Sequence, residues 1–196
     1  MELFPQDNKS NYVNVTDQFV SSFTSEAFTK LVVETAEIDL VFHKADKFGM
    51  KVFMLLPNEA SLLHIDSKFT DELLRCTIKA DKKNLKAYVV ISVPVCRELI
   101  VKSGDGDIDI HSISAETVKI SSQTGDVSAT IKKGSSFSIK TESGDINIAI
   151  PPKVFKISAK SECGEVTKIG VKSFPASKKK ITCLSDSGDI LIKNIN

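Results

Sequence analysis

A short turn motif, a glycine followed by an acidic residue, recurs five times in the second half of this 196-residue chain. Successive glycines are 19, 19, 20 and 24 residues apart, and a serine or threonine stands three positions before each of them. Repeats of this length indicate one supersecondary unit stacked several times, because a single unit cannot bury a core alone. The five pairs are Gly106–Asp107, Gly125–Asp126, Gly144–Asp145, Gly164–Glu165 and Gly188–Asp189.

Apolar residues alternate on both sides of the motif and keep the same positions in every copy. The positions two after, five before and seven before the glycine are apolar throughout, and the position four after it is broken only by Lys168. A period of two on both sides of a fixed turn predicts two strands per copy, each with one buried face. The serine or threonine hydroxyl can bond to the turn backbone, and glycine permits a positive φ at the corner.

The predicted fold is all-β and forms a single domain. It is a single-stranded parallel β-solenoid, a β-helix or roll of 19–20-residue coils, with neighbouring strands about 4.8 Å apart. Three parts are expected along the chain. Residues 1–28 form an N-terminal segment that could cap the stack, residues 29–96 an irregular β part of the same domain, and residues 97–196 the regular repeats.

The first half carries a weaker version of the same pattern. In the segment Leu31–Phe42, the pair Ala36–Glu37 occupies the place of Gly-Asp, and alternating apolar residues follow it. The runs KVFMLLP, LLHID, LLRCTIKA and LKAYVVISVPV predict further strands. Only TSEAFTKL, before the first of these strands, is weakly helical.

The overall composition excludes several classes of protein. A formal net charge of +1 gives no electrostatic reason to expect a nucleic acid or an anionic membrane as partner, and no run of 18 apolar residues predicts a transmembrane helix. The N-terminus lacks the features of a secretory signal, so the expected location is cytoplasmic. The four cysteines are single and widely spaced, which predicts neither a metal site nor a redox pair.

The run VVISVPVCRELIVKSGDGDIDI, followed by SSQTGDVSATI and KTESGDINIAI, resembles the bacterial "putative adhesin" domain family of unknown function. The resemblance covers roughly residues 30–196. It implies a β-solenoid with recurring Ser/Thr-Gly-Asp-Ile/Val turns, and it supplies no catalytic residues that could be carried over to this chain. Two departures are the glutamate at position 165 and the extra residues in the last spacing.

The acidic residues of the five motifs should line one edge of the stack, about 5 Å apart. The simplest explanation is that turn N–H groups and neighbouring hydroxyls hold each carboxylate. One alternative is a Ca²⁺ ion bound by Asp105, Asp107 and Asp126, since calcium requires six to eight oxygen ligands. Another is glycan cleavage by a pair of carboxylates, which also requires a cleft between long loops. We expect no cofactor.

Other chemically reactive residues are scattered. The insertion VKSFPASKKK brings Lys178, Lys179 and Lys180 together, as a solvated loop or as a site for an acidic partner. The three histidines share no motif and no cysteine has an adjacent base, so a nucleophile is not indicated. Cys183 lies in an inward column and should be buried, whereas Cys163 lies at a turn.

We therefore expect a non-enzymatic binding or scaffold module with a protein or glycan partner, and neither nucleic-acid binding nor membrane insertion. A self-assembling structural β-solenoid and a glycan-active enzyme are the alternatives. The last predicted strand, Ile190–Asn194, has no cap after it, and an open end of this kind exposes unpaired backbone groups. Self-association through the C-terminal coil is thus a further prediction.

Overall fold

The computed structural model describes residues 11–18, 28–131, 136–151 and 154–195. These residues form seventeen strands, and a short 3-10 helix, Pro57–Leu62, lies between the fourth and fifth of them. The strands are β1 Val13–Asn14, β2 Lys30–Thr35, β3 Asp39–Lys44, β4 Gly49–Met54, β5 Leu63–Thr70, β6 Leu73–Ala80, β7 Ala87–Val93, β8 Cys96–Lys102, β9 Ile108–His111, β10 Ala115–Ser122, β11 Val127–Thr130, β12 Ser136–Thr141, β13 Ile146–Ile150, β14 Lys156–Ser161, β15 Val166–Ile169, β16 Lys180–Ser185 and β17 Ile190–Asn194.

The strands make two sheets that face each other across one core. The nine-stranded sheet has the order β1-β4-β7-β3-β9-β11-β13-β17-β15, and the eight-stranded sheet has the order β5-β6-β2-β8-β10-β12-β16-β14. Alternate side chains of both sheets point inwards and form a single apolar cluster that extends from Val15 to Ile192. The period of two in the sequence therefore becomes one buried face on each sheet.

The prediction of a single-stranded parallel β-solenoid is wrong. The fold is all-β, but it consists of two multi-stranded sheets of mixed direction. β4 pairs antiparallel with both β1 and β7, and β5 pairs antiparallel with β6. The physical reason is that period-two alternation is the same in parallel and antiparallel strands, so the pattern does not distinguish the antiparallel pairs of the first half from parallel ones.

The order of the C-terminal layers also differs from the chain order. β17 lies between β13 and β15, and β16 lies between β12 and β14. The segment 156–169 is therefore the outermost layer, and the last strand of the chain is paired along both of its edges. The predicted open end at Ile190–Asn194 is wrong for this reason. At this end of the two sheets, the exposed edges belong to β14 and β15.

The alignment on glycine nevertheless gives the register of the paired strands. Val101, Ile120 and Ile139 pair directly with one another across neighbouring strands, and Cys183 continues that column. The residues two positions after each glycine form a second column on the other sheet: Ile108, Val127, Ile146, Ile190 and Val166.

The corner glycines are required by a close approach of backbone rather than by an unusual φ. A Cβ atom on Gly125 would lie 2.2 Å from the carbonyl oxygen of Gly106, and one on Gly144 would lie 2.1 Å from that of Gly125. Among the described residues only Gly170 is a glycine with positive φ. The expectation of a positive φ at the corners is therefore wrong, and the neighbouring layer leaves no room for a side chain.

The N-terminal half contains the strands that its sequence predicts, but its corner was misplaced by two residues. Leu40 pairs with Ile108, so Ile38–Asp39 occupies the place of Gly106–Asp107, and Ala36–Glu37 does not. A shift of two keeps the same residues on the inner face, which is why the pattern still fitted.

Parts of the predicted N-terminal segment lie outside the described residues. For the helix predicted from TSEAFTKL, residues 24–27 are not described, and Lys30 and Leu31 lie in strand β2. β1 pairs with β4 at the edge of the nine-stranded sheet. The division into an N-terminal cap, an irregular part and a regular part stays a prediction.

Candidate functional site

The acidic column lies along the corner where the chain passes from the eight-stranded to the nine-stranded sheet. Each aspartate of the column accepts a hydrogen bond from the backbone N–H of the acidic residue in the next layer, and Glu165 is the last donor. The Oδ1 of Asp107 accepts from the N–H of Asp126 at 2.8 Å, and the Oδ1 of Asp126 accepts from that of Asp145 at 2.8 Å. The same contact continues through Asp39–Asp107, Asp145–Asp189 and Asp189–Glu165, at 3.1, 2.7 and 2.7 Å.

A column of hydroxyls lies just inside the same corner. The Oγ of Ser103 donates to the carbonyl oxygen of Gly106 at 2.7 Å, and that of Ser122 donates to the carbonyl oxygen of Gly125 at 2.9 Å. Thr141 makes the equivalent contact with Gly144 at 2.7 Å. Local carboxylate and hydroxyl bonds thus satisfy the backbone groups that the corner leaves free.

The three calcium candidates each have one carboxylate oxygen engaged by the protein. Asp107 and Asp126 accept the backbone bonds just described, and the Oδ1 of Asp105 accepts from the Thr124 hydroxyl at 2.8 Å. Burial, with the charges of Asp107 and Asp145 as lesser causes, raises the pKa of Asp126 above its usual value. Among the described residues no three His, Cys, Asp or Glu side chains are arranged to hold a metal ion. The calcium hypothesis gains no support from this geometry.

Two of the histidines, which share no motif in the sequence, are neighbours on the outer face of the nine-stranded sheet. His43 on β3 pairs in register with His111 on β9. The Nε2 of His43 lies 2.9 Å from the hydroxyl of Ser92, and the Nε2 of His111 lies 2.7 Å from a carboxylate oxygen of Asp109. Both histidines stand three residues after equivalent inward positions, Leu40 and Ile108, and that common offset was the signal in the sequence.

The cysteines do not form a reactive site. Cys76, Cys96 and Cys183 are buried, and burial raises the pKa of the Cys183 thiol to about 12. Cys163 is exposed at its turn. Cys183 lies in the inward column and Cys163 does not, as the sequence predicts.

The outer side of the eight-stranded sheet is rich in lysine, and we call it the lysine face. Its eight strands carry eleven basic residues and only four acidic ones, although the whole chain has a net charge of only +1. Eleven of the 25 acidic residues of the chain lie instead in the corner segments, which are residues 36–39, 103–107, 122–126, 141–145, 161–165 and 185–189. The basic residues are Lys30, Lys68, Arg75, Lys79, Arg97, Lys102, Lys119, Lys140, Lys156, Lys160 and Lys180, and the acidic ones are Glu34, Asp66, Glu98 and Glu116.

Two glutamates on the lysine face are each held between two cations. The carboxylate of Glu98 lies 2.7 Å from the Nζ of Lys119 and 2.8 Å from that of Lys30. The hydrogen bond from Lys119 is the main reason that the pKa of Glu98 is lowered. The second of these glutamates is Glu34, whose carboxylate lies 2.8 Å from Lys102 and 2.9 Å from Arg75. The hydrogen bond from Lys102 is the main reason that the pKa of Glu34 is lowered.

A shallow depression of about 420 Å³ opens on the lysine face where its central strands end. Lys102 and Lys140 stand on either side of the small residue Ser121 on the intervening strand. In the part of the chain that the structure describes, Glu142 supplies the only carboxylate of its lining. It therefore does not present the pair of carboxylates that glycoside hydrolysis requires.

The predicted lysine insertion lies at the outer end of the same face. Lys180 begins β16 and pairs in register with Lys156 on the edge strand β14, and the carbonyl of Lys179 accepts a hydrogen bond from the N–H of Lys156 at 2.9 Å. We call Lys156, Lys178, Lys179 and Lys180 the lysine corner. None of the four forms an ion pair with a residue in the described part of the chain.

The family of the chain follows from its second half. The model of the Toastrack family, DUF4097, matches residues 83–196, which is more than half of the chain. This chain belongs to the Toastrack family. The matched segment contains all five Gly–acid corners and most of the lysine face. No curated protein matches the sequence significantly.

Solved structures share the fold of this chain to different degrees. A "putative cell adhesion protein" from Clostridium sporogenes is 17% identical with a TM-score of 0.67, and the alignment covers 87% of this chain and 94% of that one. At this identity the likeness shows the fold alone. Two further proteins described as "putative adhesin" have TM-scores too low to support an argument. The one from Bacteroides fragilis is 17% identical over 88% of this chain and 94% of its own, with a TM-score of 0.40, and the one from Parabacteroides distasonis is 12% identical over 88% and 94%, with a TM-score of 0.36.

These comparisons support the predicted resemblance to adhesin-like domains at the level of the family. They do not support the solenoid architecture that was attached to it. In the described residues, no helix is long and apolar enough to span a bilayer.

Proposed function

We propose that this Toastrack protein is a non-enzymatic binding module, and that the lysine face binds an extended anionic partner. The observation that carries the proposal is the separation of charge on a nearly neutral chain. Eleven basic and four acidic residues lie in the eight-stranded sheet, while eleven of the 25 acidic residues of the chain lie in the corner segments. A surface with one sign of charge raises the local concentration of oppositely charged partners and steers their approach.

The shape of the face supports a flat contact rather than a pocket. Eight strands at about 4.8 Å spacing give a surface about 35 Å wide, and the depression on it is shallow. Lysine predominates over arginine, which favours summed electrostatic attraction over bidentate recognition of a single group. A role in binding is also compatible with the description of the Clostridium sporogenes protein as a "putative cell adhesion protein".

Self-assembly and glycan cleavage receive less support from the same geometry. β17, the strand expected to recruit a second copy, is paired on both sides, and the edge strand β15 carries the charged Lys168 at an inward position. Inward-pointing charges on edge strands discourage pairing with another chain. Glycan cleavage would need paired carboxylates in a cleft.

The test is retention of the purified protein on immobilised dextran sulfate during a salt gradient. The triple variant Lys119→Gln/Lys140→Gln/Lys160→Gln removes three charges from the lysine face, and we expect it to elute at clearly lower salt than the wild type. The control, Lys44→Gln/Lys47→Gln/Lys51→Gln, removes three exposed charges in and around the connection between β3 and β4 and should elute like the wild type. An equal shift of both variants would show that net charge alone governs retention and would refute the proposal.

A further inference from the structure

The lysine corner keeps four like charges together, and no carboxylate among the described residues forms an ion pair with them. Lys156 and Lys180 are direct neighbours on adjacent strands, an arrangement that destabilises a sheet. Elsewhere on the face, Lys119 and Lys102 are balanced by Glu98 and Glu34. The lysine corner therefore has an electrostatic cost that the described residues do not offset, and an anionic partner would offset it.

The loop that supplies the corner is held in place by hydrogen bonds. The hydroxyl of Ser177 donates to the carbonyl of Val154 at 2.6 Å and accepts from the N–H of Lys179 at 3.1 Å. The N–H of Phe174 donates to the carbonyl of Phe155 at 2.8 Å. The lysines are thus displayed on a fixed backbone, which lowers the entropy cost of binding.

The tip of the same loop is apolar and faces solvent. Phe174 leaves 48% of its surface exposed, and Pro175 and Ala176 beside it are also exposed. Its backbone bond to Phe155 fixes this tip next to Lys156, the residue that follows Phe155. An exposed aromatic ring beside a cluster of lysines combines the two groups by which proteins attach to the interface of an anionic membrane.

We propose that this loop, together with the lysine corner, docks the protein on the surface of an anionic lipid bilayer. The inference rests on the proposed function of the lysine face and names its partner. The lysines lie against the headgroup phosphates and carboxylates, and the Phe174 ring enters the interface. The contact is peripheral and involves no membrane-spanning segment. A nucleic acid fits less well, because single strands require aromatic rings interleaved with the basic residues along the face.

The experiment is co-sedimentation with large unilamellar vesicles of phosphatidylcholine containing 30% phosphatidylserine, compared with vesicles of phosphatidylcholine alone. We expect the wild type to bind only the anionic vesicles and to be released by salt. The variant Lys178→Gln/Lys179→Gln/Lys180→Gln should bind about 100-fold more weakly, since each lysine near such a surface contributes about fivefold. The control triple at Lys44, Lys47 and Lys51 should bind like the wild type.

A pair of aromatic variants separates a bilayer from a soluble polyanion. Phe174→Ser should weaken binding to the anionic vesicles about tenfold and leave retention on dextran sulfate unchanged. Phe69→Ser is the matched control, since Phe69 is 39% exposed on β5 at the opposite end of the sheet. Melting temperatures check that all variants are folded.

The outcomes distinguish this inference from the proposed function. Retention on dextran sulfate without vesicle binding would overturn the bilayer inference and leave the proposed function standing. Equal vesicle binding by Phe174→Ser and Phe69→Ser would likewise overturn it, in favour of a purely electrostatic contact. If the wild type neither binds anionic vesicles nor is retained on dextran sulfate, the bilayer inference and the proposed function are both refuted.

Discussion

Replacement of Gly125 by alanine tests the explanation for the repeated corner glycine. The added Cβ would lie 2.2 Å from the carbonyl oxygen of Gly106 and 2.6 Å from its carbonyl carbon. An ordinary contact between these atoms is more than 3 Å, so the two layers would have to separate by about 1 Å in a stack whose strand spacing is about 4.8 Å. The obstructing atoms are backbone and cannot rotate away.

The expected cost is about 3 kcal/mol, the upper part of the range for overpacked sites. For a domain of this size, each kcal/mol corresponds to about 2–4 °C in melting temperature. Gly125→Ala should therefore melt about 6–12 °C below the wild type. Urea unfolding followed by circular dichroism gives the free energy of unfolding, and the melting curve gives the temperature shift.

Two further variants decide between steric crowding and backbone conformation. Gly49→Ala is the control, because its Cβ would meet nothing closer than the Ser92 Cβ at 4.0 Å; it should be neutral or slightly stabilising. Gly125→Asn should be at least as damaging as Gly125→Ala. Asparagine tolerates positive φ better than alanine, so a clearly milder Asn variant would refute the steric explanation. Equal stability of Gly125→Ala and Gly49→Ala would refute it as well.

Three more predictions concern charge. Lys168→Ile restores the apolar column on the edge strand β15 and should produce concentration-dependent association in sedimentation velocity, where the wild type stays monomeric; a monomeric variant would contradict the role assigned to this charge. The raised pKa of Asp126 means that its carboxyl group ionises less readily in the folded than in the unfolded protein. The stability that the protonated carboxyl group contributes is therefore lost as the pH rises through the raised pKa. Asp126→Asn lacks this loss, and in urea titrations its stability relative to the wild type should be greater at pH 7 than at pH 3; a constant difference would count against the raised pKa. Glu34→Gln/Glu98→Gln frees four cations on the lysine face and should elute from dextran sulfate at higher salt, with a stability loss of at most about 1 kcal/mol per ion pair. Unchanged elution would argue against the face as the binding surface.

Local regularities of the fold could be read from the sequence because they repeat. The columns through Val101 and Ile108 predicted the register of the paired strands, since alternation fixes which residues face the core. The same periodicity cannot distinguish parallel from antiparallel neighbours, so the antiparallel pairs of β4 and β5 were missed. The corner at Ile38–Asp39 was missed because an isoleucine stands there in place of the glycine, so the Gly–acid motif is absent from this layer.

The candidate site was predicted less well than the fold. The sequence indicated Lys178–Lys180 directly. The lysine face, in contrast, is recognised only when the order of the strands is known, because its charges come from eight separate strands. Net charge conceals this, because the acidic corner balances the face almost completely. The pairing of His43 with His111 depends on β3 lying beside β9, although the two histidines are 68 positions apart along the chain. Contacts of that kind follow from the order of the layers, which the repeat does not encode.

The 24-residue last spacing and the inward position of Lys168 both depart from the repeat, and the order of the layers explains both. After the Gly144 layer the chain skips one position, forms the outermost layer 156–169, and then returns so that the last strand fills the gap. A return past an existing layer needs a longer connection, which accounts for the 24-residue spacing before Gly188. Lys168 is tolerated at an inward position because its layer is the outermost one, where the residues of β15 are exposed to solvent. The longer connection also places Phe174 against the edge of β14, beside Lys156. The lysine corner, with the aromatic ring beside it, is therefore a consequence of the reversed order, and we expect a similar loop only in relatives with a comparable extra-long last spacing.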